Sequence, residues 1–93
     1  GGVRPLMIAA ATGNSTIFED LLKHGANIND QDSRGFTPLL IAASQGQTDV
    51  VRRLLERGVE VNAQNFNGAT ATALAAAKGY NRIQEMLRRV GGR

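Results

Sequence analysis

The sequence predicts an all-α solenoid of stacked helix–turn–helix units with projecting β-turn or hairpin loops. Three observations carry that prediction: a repeat of 33 residues, glycines at fixed places in every copy, and apolar residues at helical spacing between them. Sliding the chain along itself by 33 residues aligns six identical positions in all three copies. They are Gly2/Gly35/Gly68, Ala9/Ala42/Ala75, Ala10/Ala43/Ala76, Gly13/Gly46/Gly79, Leu21/Leu54/Leu87 and Gly25/Gly58/Gly91. Two further positions, Ile8/Ile41/Leu74 and Ile17/Val50/Ile83, stay aliphatic. Ordinary residue frequencies would give about 0.1–0.2 such triple identities over the stretch compared, so chance does not explain the register.

Each element follows from its residues, read most easily in the middle copy. Thr37-Pro38 starts a helix, with a hydroxyl at the N-cap and a ring that already holds helical φ. Leu39, Ile41, Ala42 and Ala43 continue it, and the alanines let a neighbouring helix come close. Gly46 ends the helix by accepting the left-handed conformation. A second helix is predicted over about Thr48 to Arg57, where Val50, Val51, Leu54 and Leu55 form one apolar stripe. Gly58 stops it. The polar stretch Asn29 to Gly35, and its copy Asn62 to Gly68, read as a turn or hairpin-like loop, with Asn67-Gly68 a favourable tight-turn pair.

Two short helices have nothing behind them, so no copy can bury its own stripe. Stacking supplies the missing wall, and about three copies are needed. The 93 residues are therefore read as one domain, with repeat 1 at about 1–31, repeat 2 at about 32–64 and repeat 3 at about 65–93. Without cysteine, disulfides and thiolate metal sites are excluded, which favours an intracellular (cytoplasmic or nuclear) setting. The longest apolar stretch, Leu6 to Ala11, is far short of the roughly 18–20 residues a membrane span needs. No leading segment reads as a signal peptide.

The middle copy, from Asp32-Ser-Arg-Gly35-Phe-Thr37-Pro38-Leu39 through Leu54-Leu55-Glu-Arg-Gly58 to Asn62, resembles the ankyrin repeat. The resemblance extends over essentially the whole chain. Departures from the family pattern carry their own expectations. Leu40 and Met7 stand where the family usually has histidine, removing a side-chain hydrogen bond at the helix start. Arg4 replaces the capping threonine in the first copy, and Ala71-Thr72 replaces Pro-Leu in the third, a weaker helix start. Gln84 and Arg88 stand where the middle copy has Val51 and Leu55 and the first has Phe18 and Leu22. A solenoid must end on a wettable face, so the third copy reads as a C-terminal cap. The first copy shows no equally clear cap, which suits a piece of a longer array.

The resemblance implies a non-catalytic module that binds another protein or peptide through its loop tips and the exposed side of its first helices, together a concave surface. Matched residue by residue, the contact positions are Ser33, Arg34, Phe36, Ser44 and Gln45 in the second copy. In the third they are Phe66, Asn67, Ala69, Ala77 and Lys78, and the first offers Val3, Ala11 and Thr12. Phe36 and Phe66 fall outside both apolar stripes. Burying one aromatic is worth at most ~4–6 kcal/mol, so either ring can anchor a partner, or each can fold over its own loop. On the anchoring reading, removing the rings leaves thermal unfolding nearly unchanged.

Other signals are weaker. Asp20 and His24, four apart, read as a surface ion pair rather than part of a catalytic triad. Asn14-Ser15-Thr16 matches a glycosylation sequon but reads as the opening of a helix. The glycines form no phosphate loop, because no Lys-Ser or Lys-Thr follows them at the right spacing. No catalytic residue, cofactor, metal or membrane partner is expected, and the chain is expected to be monomeric by itself.

The formal charge of +3 is uneven: residues 1–33 carry −2, residues 67–93 carry +4. Nucleic-acid contact through Arg82, Arg88, Arg89 and Arg93 is the lesser alternative, since Tyr80 is the sole aromatic beside them. A further alternative is an engineered or truncated scaffold without a natural ligand, suggested by the short chain and its Gly-Gly and Gly-Gly-Arg ends. The three copies differ more than a design from averaged repeats would.

Overall fold

The structure, a computed structural model, describes the backbone of residues 3–93 and the side chains from residue 5 onward. Gly2 and the side chains of Val3 and Arg4, which figure in the expectations above, lie outside the described residues. Six helices follow in order: α1 Val3–Thr12, α2 Ser15–Lys23, α3 Pro38–Gln45, α4 Thr48–Glu56, α5 Ala71–Lys78 and α6 Asn81–Arg89. No strand forms among the described residues. The helices pair as α1·α2, α3·α4 and α5·α6; α1, α3 and α5 pack side by side in one row, and α2, α4 and α6 in a second. This is the all-α helix–turn–helix solenoid that the register implied.

Local chemistry sets the helix ends. The Thr37 hydroxyl accepts a hydrogen bond from the Leu40 N–H at 3.2 Å, with Pro38 in the first turn. In the third unit Thr70 does the same for Ala73 at 3.2 Å, so α5 starts cleanly although Ala71-Thr72 stands where Pro-Leu was expected. Asn14 caps α2 by accepting from the Ile17 N–H at 3.2 Å, the helix-opening role foreseen for it.

Gly46 closes α3 at φ +72°, and a second constraint applies at the same spot. A Cβ there would lie 2.9 Å from Cζ of Tyr80, whose ring arrives from the following unit. Gln47 covers Gly13 in the same way and donates from Nε2 to the Ala11 carbonyl at 2.8 Å. The glycine thus ends one helix and seats its neighbour.

The core runs through all three units. Leu6, Ala10, Phe18, Leu39, Leu40, Ala42, Ala43, Val50, Val51, Leu54, Ala75, Ile83 and Leu87 are buried. Beside them, Leu55 is half-buried. Ala10 and Ala43 have no exposure, whereas Ala76, the same position in the last unit, is exposed. Gln84 is half-buried and Arg88 exposed.

One core position departs from the pattern. Thr72 replaces the leucines at Leu6 and Leu39; it is buried, and its Oγ1 finds no hydrogen-bond partner. The backbone at Gly92 closes over it, where an added Cβ would stand 3.0 Å from that oxygen. A buried hydroxyl without a partner costs about 1–3 kcal/mol.

On the second row, Glu19 of α2 meets Arg57 at 2.5 Å and Arg53 at 3.8 Å across the junction between units. The hydrogen bond from Arg57 and the charges of Arg57 and Arg53 hold the Glu19 carboxyl below its ordinary value, against the opposing effect of burial. Asp49 is lowered too, first by a hydrogen bond from Ser15 and then by one from Arg53.

Two outcomes follow from these contacts. Thr72→Val removes the orphaned hydroxyl at nearly constant shape and raises stability by about 1 kcal/mol in urea denaturation; an unchanged or lower midpoint would mean the hydroxyl is hydrated. A carboxylate lowered in the folded state stabilises fully above its unfolded value and loses that contribution as pH falls through its folded value. Stability should therefore drop as pH falls through and below the ordinary carboxylate range, and Glu19→Gln should flatten that drop while lowering stability at pH 7.

Candidate functional site

An open groove of about 920 Å³ lies between the first-row helices and the loop that precedes α3. Met7, Ile8, Ile41 and Leu74 supply its apolar lining, one unit after another, together with Ala11 and Phe36. Ser33, Arg34, Ser44, Gln45 and Lys78 add polar groups and two cations.

The loops on one side are built by side chains that repeat at the 33-residue interval. Asp32 Oδ1 accepts from the N–H groups of Arg34 at 2.8 Å and Phe36 at 2.9 Å. Asn65 Oδ1 accepts in the same manner from Asn67 at 2.9 Å and Ala69 at 3.0 Å. Backbone bonds close each turn, Gly35 N–H to the Asp32 carbonyl and Gly68 N–H to the Asn65 carbonyl, both at 2.9 Å.

The tight turn expected at Asn67-Gly68 takes another form. Only Gly68 has positive φ, at +81°, so the turn spans residues 65–68 with the glycine as a bulge at its end. The loops also join to each other. The Phe66 N–H donates to the Arg34 carbonyl at 3.1 Å, and Gln31 Nε2 donates to the carbonyls of Gly35 at 3.0 Å and Gln64 at 3.3 Å.

Seven of the expected contact residues line the groove: Ala11, Ser33, Arg34, Phe36, Ser44, Gln45 and Lys78. Phe66, Asn67, Ala69 and Ala77 are outside its lining: Phe66 and Asn67 are exposed on the next loop tip, Ala77 is exposed on α5, and Ala69 is half-buried. Thr12 is exposed and its hydroxyl donates to the Ile8 carbonyl at 2.9 Å. The Val3 side chain lies outside the described residues.

The two phenylalanines are not equivalent. Phe36 is half-buried and packs on the core, with the Arg34 guanidinium 4.6 Å above its ring centre. Its removal therefore cannot leave unfolding untouched, as the anchoring reading required. Phe66 is 70% exposed, and its ring lies across Gly35, where a Cβ would be 2.6 Å from Cδ1.

The aliphatic series Ile8/Ile41/Leu74 was visible in the sequence but not counted among the contact positions. The signal was present in α3, where Leu39, Leu40, Ile41, Ala42 and Ala43 are consecutive. Five successive apolar residues on a helix cannot all face one side.

Elsewhere, His24 Nδ1 lies 2.8 Å from the Asp20 carbonyl oxygen and 3.7 Å from its carboxylate, with both side chains exposed. That is the surface pair foreseen. On α6, Arg89 pairs with Glu85 at 2.6 Å, while Arg82 and Arg88 are exposed. No helix of the described residues is long and apolar enough to cross a membrane.

A family model described as ankyrin repeats, in three copies, matches residues 4–91. The chain belongs to the ankyrin-repeat family. No curated protein matched it in a sequence search. Ankyrin repeats are in general non-catalytic modules that bind other proteins. In this ankyrin domain the loop turns and first-row helices present apolar surface beside hydrogen-bonding groups.

The unequal surroundings of the two rings give a direct test. Phe36→Ala should destabilise the domain by about 1–3 kcal/mol, less than a fully buried ring. Phe66→Ala should stay within about 0.5 kcal/mol. Urea denaturation measures both, and equal losses would contradict the packing described.

Proposed function

We propose that the domain binds a protein partner in the groove lined by Ile8, Ile41, Leu74 and Phe36. The observation that carries this reading is the run of aliphatic side chains there, of which Ile8 remains 55% exposed. An apolar surface rimmed by polar groups favours an aliphatic or aromatic anchor from the partner. Arg34 and Lys78 would then meet acceptors or carboxylates at its edges, setting orientation more than affinity. Phe66, Asn67, Ala69 and Ala77 would form an outer contact zone on the following loop and helix.

In this reading the units divide at about 31/32 and 64/65, the third serves as a C-terminal cap, and the domain works as a monomer in an intracellular setting.

The test begins with a partner captured from cell extract and identified by mass spectrometry, with its affinity then measured by calorimetry. Ser44→Arg, which fills the groove, should weaken binding at least tenfold, or about 1.4 kcal/mol. Arg82→Ala with Arg88→Ala should leave the affinity unchanged. The opposite pattern, with steep salt dependence, would move the site to the basic helix α6.

A further inference from the structure

The charged groups that line the groove are unequally engaged. Asp32 is its one carboxylate, and its own loop occupies that group. Oδ1 accepts from the N–H groups of Arg34 and Phe36, and Oδ2 lies 3.7 Å from the Arg34 guanidinium. The Asp32 side chain is accordingly 23% exposed, against 71% for Arg34. The guanidinium lies over the Phe36 ring, an arrangement that leaves the N–H groups at its edge for other acceptors.

Lys78 reaches the groove from the last turn of α5 and is exposed. It makes no ion pair among the described residues, whereas Arg52, Arg53 and Arg57 around α4 and Arg89 on α6 each have a carboxylate partner. The neutral groups are partly spent as well. Gln31 Nε2 donates to two loop carbonyls, and the Ser44 hydroxyl donates to the Ile41 carbonyl at 3.0 Å. A lysine or arginine entering the groove would meet two cations and no unoccupied carboxylate. The charges also lie toward one end: α1 contributes Met7, Ile8 and Ala11, all apolar, while Arg34 precedes α3 and Lys78 ends α5.

We propose that the groove selects an acidic segment of its partner, with aliphatic or aromatic side chains on Ile8, Ile41 and Leu74 and Asp or Glu toward Arg34 and Lys78. The proposal rests on the groove reading above and adds the sign of the ligand's charge and its direction across the helices. An exposed ion pair adds little affinity by itself. Its larger effect is discrimination, because the wrong sign brings like charges together beside apolar surface. The charge of the whole chain acts the same way. Residues 67–93 carry +4 and residues 1–33 carry −2, so an anionic segment is steered toward the α5 end. A nucleic acid would bring phosphates to the same cations, but the one ring in the lining, Phe36, is covered by Arg34 and offers bases little to stack on.

Random peptides of roughly ten residues, long enough to cross three helices about 8–10 Å apart, can be displayed on phage and selected against the 93-residue chain. The selected sequences should combine Asp or Glu with aliphatic or aromatic residues. One of them, made synthetically and labelled, should bind less tightly as salt rises. Lys78→Glu should weaken it about five- to tenfold at low salt. The same peptide with lysine in place of each acid should prefer the Lys78→Glu chain to the original. Arg82→Glu, an equal change of net charge on α6, should leave the affinity unchanged. Neutral or basic selected peptides that Ser44→Arg excludes would overturn the proposal and keep the groove. Displacement of the acidic peptide by short single-stranded RNA would overturn it too, since the cations would then serve phosphates. Peptides that bind the Ser44→Arg chain as well as the original, or a library without binders, would remove the groove itself as the site, and the proposal with it.

Discussion

Everything in this domain rests on burial between neighbouring units. Its helices are eight to ten residues long, below the roughly 12–15 at which an isolated helix becomes marginal in water. Each hairpin has a stripe that its own two helices leave open, and the adjacent hairpin closes it. The alanines at 9, 42 and 75 and at 10 and 43 permit that closeness, and the tight glycine seats at Gly13 and Gly46 admit Gln47 and Tyr80 from the next unit. Residues that look like local punctuation are in this sense junction residues.

That duality explains what could and could not be read from the sequence. The fold was legible because caps, stops and stripes recur at one interval: Thr37, Gly46 and Val50 each mark a helix boundary or a buried stripe. Orientation was less legible. A repeated aliphatic at 8, 41 and 74 shows that the position matters, but not that it lines a groove rather than the core. The contrast between Phe36 and Phe66 was also hidden, because it depends on which ring finds the core and which finds the bare backbone of Gly35. The anchor of each loop escaped notice because the first uses an aspartate and the second an asparagine. Asp32 and Asn65 differ in charge yet offer the same acceptor oxygen to the same two backbone N–H groups.

Ile8 lines the groove and also belongs to the outer surface of the first hairpin, and Ile41 shows how far a preceding unit can cover that position.

The loops divide labour along their length. Asp32 with Gly35, and Asn65 with Gly68, supply the hydrogen bonds and the left-handed residue that hold each turn. The two residues between them are Ser33-Arg34 in one loop and Phe66-Asn67 in the other, with nothing in common. Such a tip is a variable alphabet mounted on a constant frame. Mutation can rewrite what the protein displays, letter by letter, without asking the scaffold to fold anew.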